Sequence, residues 1–341
     1  MSSNIILPAE WHPQKAVQLT WPHEQSDWNY LLSEVEECFV QIATEIAKRQ
    51  QLIVVCQNKQ TVQNKLSKAK LSNISFYEMD SNDTWARDHG GITVFENGRL
   101  VIYDFCFNGW GMKFAANHDN LITRKLHKAG AFDGYGYSNM NFFVFEGGSI
   151  ESDGQGTLLT TEECLLSVNR NDNLSKAEIE SCLLRFFGAK QVLWLKNGYL
   201  AGDDTDSHTD TLARLCNENT IAYVKCEDNN DEHYTALLEM EKELQNFRQL
   251  NGEPYKLIEL PMVPPVYDPD DGHRLPATYA NFLIINNAVL LPVYNTGTDK
   301  QAIEAIRKAF PDREVVPIDC SVLIRQHGSL HCVSMQYPEL K

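Results

Sequence analysis

The chain has 341 residues, with 30 Lys or Arg against 46 Asp or Glu, a formal charge of −16 at neutral pH. A hydrophobic content of 43% and a charged content of 22% describe a folded globular chain and exclude a disordered one. The acidic excess argues against non-specific binding to nucleic acid or to an anionic membrane, since both need a basic surface, and leaves a cationic substrate open.

Nine cysteines, Cys38, Cys56, Cys106, Cys164, Cys182, Cys216, Cys226, Cys320 and Cys332, are scattered without a CxxC pair. That pattern suits neither a disulfide framework nor a zinc ribbon and points to a reducing compartment. The opening MSSNIILPAEWHP has no basic, apolar and small-residue sequence of a secretory leader. No run approaches the ~18 apolar residues of a membrane span. The expected location is the cytoplasm, with no membrane and no nucleic acid as partner.

In chain order, residues 16–21 read as a strand, 30–48 as a helix and 52–56 as a second strand. The next signal is a hairpin, residues 92–95 and 100–105 flanking Glu96-Asn97-Gly98-Arg99, where Asn-Gly tolerates the positive φ of a tight turn. Three similar hairpins follow. Residues 149–150 and 157–160 flank Asp153-Gly154-Gln155-Gly156, residues 211–216 and 220–225 flank Asn217-Glu218-Asn219, and residues 282–285 and 288–293 flank Asn286-Asn287. Each is followed by a helical pattern (121–129, 176–187, 234–249, 300–310) and then by a short strand (141–145, 191–195, 256–260, 314–318). The turn centres, near 97, 155, 218 and 287, are separated by 58, 63 and 69 residues. A fifth set is split across the termini, with residues 330–335 pairing against the strand at 16–21. Five ββαβ-like units of about 65 residues account for the whole chain. The expectation is an α/β fold, one domain over residues 1–341, built as a closed ring of five units; an irregular α/β sandwich is the alternative.

Functional residue types recur just before these hairpins: Asn82 to Gly91, including Trp85-Ala86-Arg87-Asp88; Glu146-Gly147-Gly148; Asp203-Asp204-Thr205-Asp206-Ser207-His208-Thr209-Asp210; and His327-Gly328-Ser329-Leu330-His331-Cys332. In a ring, equivalent strand starts converge, so residues 88, 146, 208, 210 and 332 would line one pocket. Each also has a plain structural use. Cys332 could be a small buried hydrophobe, His208 a hydrogen-bonded structural histidine, and Asp203 to Asp206 a solvated turn. Alternating Asp and His on one strand face could instead hold a divalent metal, which keeps a metal-dependent hydrolase in view.

Together with Leu7-Pro8-Ala9-Glu10-Trp11, Thr20-Trp21-Pro22, Phe107-Asn108-Gly109-Trp110-Gly111 and the terminal His331-Cys332, these segments resemble the agmatine deiminases across essentially the whole chain. That family lies in the guanidine-modifying superfamily of five-bladed, pseudosymmetric α/β propellers. The resemblance implies that Cys332 attacks the guanidinium carbon to form an amidino-thioether. It implies that His208 gives a proton to departing ammonia and then activates water. Asp88 and Asp210 would grip the guanidinium nitrogens, while Trp85, Glu146, Asp204 and Trp110 would contribute to substrate binding. It implies no metal and no organic cofactor, because the guanidinium carbon is already electrophilic. A planar cation also calls for carboxylates placed about its fork, which agrees with that set.

A peptidylarginine or other arginine-derivative deiminase shares the same residues and is the alternative. No arginine lies between Arg99 and Arg124 to receive a substrate carboxylate, which favours agmatine. Met112 after Trp110-Gly111, and His327-Gly328-Ser329 where many relatives have a glycine run, are departures that bear on the far end of the substrate. An inactive binding module or an interaction scaffold would account for the fold but not for this residue set. A homo-oligomer is compatible with the sequence.

Overall fold

Asn97 and Gly98 take φ values of 50° and 77°, a left-handed pair that asparagine and glycine adopt at low cost. In the computed structural model, which describes residues 4–67 and 71–340, this turn joins Ile92–Glu96 to Arg99–Cys106 with Val94 opposite Val101. The same antiparallel device recurs three times: Ile150–Ser152 with Thr157–Thr161, Ala213–Asn217 with Thr220–Lys225, and Leu283–Ile285 with Ala288–Val293.

The second strand of each hairpin then gains a parallel partner: Gly136–Val144, Gln191–Leu195, Lys256–Pro261 and Glu314–Asp319. A parallel neighbour cannot be reached through a tight turn, so a helix carries the chain back. These helices are Ile122–Lys128, Lys176–Phe187, Tyr234–Asn246 and Asp299–Ala309. Lys176–Phe187 coincides with its expected span because both ends are encoded locally. Ser175 and Glu178 form a reciprocal capping box, and Gly188 ends the helix at φ 62°.

The unit split across the termini has the same plan. Ser334–Pro338 runs antiparallel to Gln14–Thr20, which pairs in parallel with Gln51–Cys56 after the helix Leu32–Ala47. That helix buries Val35, Phe39, Ile42, Ala43 and Ile46, the three-and-four spacing of one apolar stripe. Among the described residues, the result is five separate sheets in a mixed α/β fold. Helices pack on the neighbouring sheet: Lys176–Phe187 against Ile5–Ile6, Tyr234–Asn246 against Gln191–Leu195, and Asp299–Ala309 against Lys256–Pro261. Leu32–Ala47, from the terminal unit, meets Glu314–Asp319. Among the described residues, no helix is long and apolar enough to cross a membrane.

Several boundaries differ from expectation. Residues 330–333 form turns and the strand starts only at Ser334, because Val333 and Ser334 donate backwards to the carbonyls of Ser329 and His331. The strand expected at 141–145 is Gly136–Val144, with a register break opposite Phe105 and Cys106. The start of the 30–48 helix is a separate 3-10 turn, Asp27–Leu31. Two strands lacked a sequence signal: Ile74–Glu78, which extends the terminal sheet in parallel, and Ile5–Ile6, which adds to the edge of Ile92–Glu96.

Several of these segments meet at a buried cation. Arg214 is 0% exposed and donates from Nε to Glu151 Oε1 at 2.6 Å and from Nη2 to Glu10 Oε2 at 2.8 Å. Its Nη1 donates to the carbonyls of Ala280 and Phe282 at 3.1 and 2.6 Å. A buried guanidinium is tolerated only when its donors are paired in this way. The pairing ties the N-terminal segment to three successive hairpins beside the segments that carry the expected functional residues.

Candidate active site

The chemistry-bearing side chains sit in short turns just ahead of the hairpin strands rather than on the strands. Asp88 lies in the helical turn Ala86–His89, Gly148 in the 3-10 turn Gly147–Ser149, and Asp210 in the 3-10 turn Thr209–Thr211. Cys332 lies in the turn before Ser334–Pro338. The first and last are locked together by the Arg87 N–H, which donates to the Cys332 carbonyl at 3.0 Å.

These turns bring Asp88, His208, Asp210 and Cys332 together. His208 Nδ1 is 3.6 Å from Asp88 Oδ1, and Cys332 Sγ is 3.9 Å from Asp210 Oδ2. Asp88 is fixed by two donors, Trp110 Nε1 to Oδ2 and the Gly148 N–H to Oδ1, each at 3.0 Å. Asp210 Oδ2 meets His331 Nδ1 at 2.7 Å, and the other nitrogen of that ring meets Glu10 Oε2 at 2.8 Å. Two buried atoms, His208 Nδ1 and Asp210 Oδ1, have no hydrogen-bond partner among the described residues. A buried polar atom without a partner is costly, so a donor and an acceptor held in that state are suited to a ligand.

An open pocket of about 570 Å³ reaches this group. Trp85, Asp88, Trp110, Asp204 and Cys332 are on its wall, with Asp27, Asp83 and Phe114. His208, Asp210 and Glu146 lie one layer deeper, each 0% exposed. Glu146 therefore does not form the wall. Its Oε2 is 3.3 Å from His208 Nε2, and both its oxygens accept from Arg170 Nε at 3.1 and 2.9 Å. Asp204 is at the rim, 3.7 Å from His327 Nδ1.

The Asp203 to Asp210 segment is not a strand, so its acidic residues do not alternate on one face as a metal site on that segment would require. Asp206 and Ser207 take φ values of 64° and 61°, and the chain then turns sharply into His208. Arg170 holds this strained stretch from Nη1 to Asp206 Oδ2 at 2.5 Å and from Nη2 to the Thr205 carbonyl at 2.8 Å. Among the described residues, two other groups have metal-ligating side chains within 4.8 Å of one another: Glu146 with Cys164 and His208, and Glu10 with Glu151 and His331. In both, the carboxylates already accept from a buried arginine, Arg170 or Arg214.

The electrostatics are those of a neutral thiol beside an imidazolium. Burial pushes the Cys332 thiol well above its ordinary value, and the charges of Asp210 and Asp88 add to this. Burial alone would lower the pKa of His208, but Asp88, and after it the neighbouring Cys164 and Glu146, raise it well above 6.5. Burial also lifts Asp88 to about 6, with His208 opposing the shift. The burial penalty on Asp210 and Glu146 is overcome by His331 and Arg170 respectively, which hold both carboxyls below their usual values.

Sequence reasoning missed Arg170, His331 as the support of Asp210, and Asn281. Asn281 lies two residues before Leu283–Ile285, just ahead of its hairpin like Asp88 and Asp210, and that offset was a usable signal.

A family model described as Porphyromonas-type peptidyl-arginine deiminase matches residues 6–338. The agmatine deiminase of Pseudomonas aeruginosa (strain LESB58) is 30% identical, covering 97% of this chain and 95% of its own. A crystallised Porphyromonas gingivalis chain named "Putative Arginine Deiminase" is 54% identical with a TM-score of 0.93, covering 98% of both chains. The C. jejuni agmatine deiminase with substrate bound is 39% identical with a TM-score of 0.91, covering 98% of this chain and 96% of that one. A match of this extent, over a chain whose turns assemble Cys332, His208, Asp88 and Asp210, places the protein by descent: it belongs to the Porphyromonas-type peptidyl-arginine deiminase family.

Proposed function

We propose that the protein is an agmatine deiminase, a hydrolase that converts agmatine and water to N-carbamoylputrescine and ammonia. The observation that carries this reading is the pairing of Cys332 with the unpartnered Asp210 Oδ1 and His208 Nδ1 beside a pocket rich in carboxylates. A guanidinium between Asp88 and Asp210 has N–H donors for both and presents its carbon to Cys332 Sγ, a near-attack arrangement. Its positive charge also offsets the two aspartates that hold the thiol neutral, favouring the thiolate where the electrophile sits.

The thiol proton goes to solvent as the guanidinium binds, and attack of the sulfur forms the S–C bond. His208, cationic at rest, passes its Nδ1 proton to the departing nitrogen, and ammonia leaves the amidino-thioether. The imidazole then takes a proton from water as the water attacks the same carbon, and the S–C bond breaks as the remaining hydroxyl proton passes to the sulfur, restoring the thiol. Glu146 acts through His208, keeping the ring oriented and charged. Trp110 acts in part through Asp88, which its indole N–H holds in place.

The pocket wall favours agmatine over an arginine derivative. It includes Asp27, Asp83 and Asp204, whereas no Lys or Arg side chain lines it among the described residues. Lys113, the nearest lysine in the sequence of that wall, is paired with Asp206 at 2.5 Å. Such a wall suits a second ammonium and gives no partner to a carboxylate. Ammonia release measured side by side on agmatine, free arginine and a peptide ending in arginine tests the reading. Agmatine should be preferred by orders of magnitude in kcat/KM, and preference for the peptide would overturn the assignment.

We further read the five sheets as the blades of one pseudosymmetric propeller and a single catalytic domain. The order in which helices meet neighbouring sheets, from Lys176–Phe187 round to Leu32–Ala47, supports this. Nine free cysteines support a cytoplasmic location.

A further inference from the structure

Behind the catalytic turns lies a second open pocket, of about 610 Å³, that shares no lining residue with the first. Arg87 and Gly147 line it, the residues that immediately precede Asp88 and Gly148. Three side chains of its wall carry a buried polar atom with no hydrogen-bond partner among the described residues: Arg87 at Nε and Nη2, Thr93 at Oγ1 and Gln336 at Oε1. Arg87 is 3% exposed, and its Nη1 meets the Met335 sulfur, a weak acceptor, at 3.6 Å.

Glu10 and Glu151 are on the same wall, but their oxygens are taken up elsewhere. Glu151 accepts from Arg214 Nε at 2.6 Å and from the Leu215 N–H at 3.0 Å. Glu10 accepts from Arg214 Nη2 at 2.8 Å and from the Ile284 N–H at 2.7 Å. Arg87 feels both carboxylates only through their fields, which the charge of Arg214 opposes. A buried guanidinium without a bonded anion is costly, and water satisfies its donors while leaving its charge unpaired.

We propose that this pocket binds a short aliphatic carboxylate on the Nε–Nη2 edge of Arg87. These adjacent nitrogens donate in parallel, the arrangement that takes both oxygens of a carboxylate. The Thr93 hydroxyl adds a third donor. The Gln336 amide, which no other side-chain bond fixes among the described residues, adds a fourth when its NH₂ is turned toward the ligand. Leu7, Ile92, Ile150 and Met335 give the carbon chain an apolar wall. The site does not depend on the agmatine reading, since Cys332 and the carboxylates that would hold a guanidinium belong to the other pocket.

Thermal melting of the full chain with butyrate, at constant ionic strength, tests the proposal, with chloride and neutral butyramide as comparisons. Butyrate should raise Tm saturably, by about 4 °C at a hundredfold excess over Kd, and the other two far less. Arg87→Met keeps the backbone N–H that holds the Cys332 carbonyl, yet it should lose the butyrate shift. Should that variant fail to fold, Thr93→Val decides, and it should bind butyrate about tenfold more weakly, as for loss of one hydrogen bond to a charged group. Cys332→Ala should keep the whole shift, because the two pockets are separate. No shift in the parent, an equal shift with chloride or butyramide, or a full shift in folded Arg87→Met or Thr93→Val overturns the proposal. Loss of the shift in Cys332→Ala overturns it as well. If butyrate binds as expected but agmatine is not turned over, the substrate reading fails and the carboxylate site stands.

Discussion

At Gly148 the site leaves room for a hydrogen and nothing larger. A Cβ there would come within 2.6 Å of His208 Nδ1, 2.8 Å of Asp88 Oδ1 and 3.1 Å of Asp210 Oδ2. The backbone of Gly148 is not in the left-handed region, so the requirement for glycine comes from these three groups. Gly148→Ala should fold yet lose about 10²-fold or more in kcat/KM, since displacement of about an ångström costs that much at a reacting centre. A variant with normal activity would show that the three groups do not act at one point. The acid limb of the rate is fixed at the same scale. Asp88 has its carboxyl raised to about 6, chiefly by burial, and the charged form is the one that holds a guanidinium. As pH falls through about 6 the carboxylate is protonated, so kcat/KM should drop toward tenfold per unit. The limb in kcat should lie at lower pH, because bound cation favours the ionised form. Asp88, His208, Asp210 and Cys332 were legible as residue types recurring ahead of hairpins. Arg170 was not, because nothing near it in sequence says that its partners are Glu146 and Asp206.

Arg170 acts on a whole segment rather than on one contact. One side chain, fully buried, fixes Glu146 with Nε and the Thr205–Asp206 stretch with both terminal nitrogens. It therefore connects the turn behind His208 to the strained residues in front of it. Lys113 adds a second tie from the Trp110 loop, to Asp206 and to the Asp204 carbonyl at 2.7 Å. Removing one partner of a buried ion pair leaves the other charge unpaired and costs about 3–5 kcal/mol. Arg170→Met should lower the urea midpoint accordingly, and His208 should become easier to deprotonate as Glu146 loses the cation that keeps it ionised. Arg170→Lys keeps the charge but cannot span three acceptors, so it should recover stability in part and activity less. An unchanged urea midpoint in Arg170→Met would mean that the pair does not hold the loop. Elements with local signals, such as Lys176–Phe187 between its capping box and Gly188, were readable to the residue. Of the strand expected at 330–335, Ser334 and Met335 are strand, whereas residues 330–333 form a turn in which His331 and Cys332 donate to Asn281, a long-range tie with no local signal.

For the molecule as a whole, the hairpin spacing made the five sheets legible, since each turn is a local event repeated at nearly constant intervals. The extra strand Ile74–Glu78 broke the pattern because it belongs to no hairpin and is defined only by its parallel register with Gln51–Cys56. The charge of −16 was legible as a number and not as a distribution. The fold assigns part of it: Asp27, Asp83, Asp88 and Asp204 all line the pocket, where their fields add along the path of an entering cation. Agmatine is a dication, so its encounter should be accelerated at low ionic strength and slowed by salt. Screening is substantial once the Debye length falls to about 10 Å, near 0.1 M salt. kcat/KM should therefore fall with added salt while kcat at saturation stays nearly constant, because a bound guanidinium beside buried carboxylates is shielded from bulk ions. Butylguanidine, which carries the guanidinium without the second ammonium, supplies the control, since its salt dependence should be about half as steep. Equal slopes for the two would mean that the pocket-mouth carboxylates do not act on the distal charge, and a flat response for both would remove steering from the account altogether.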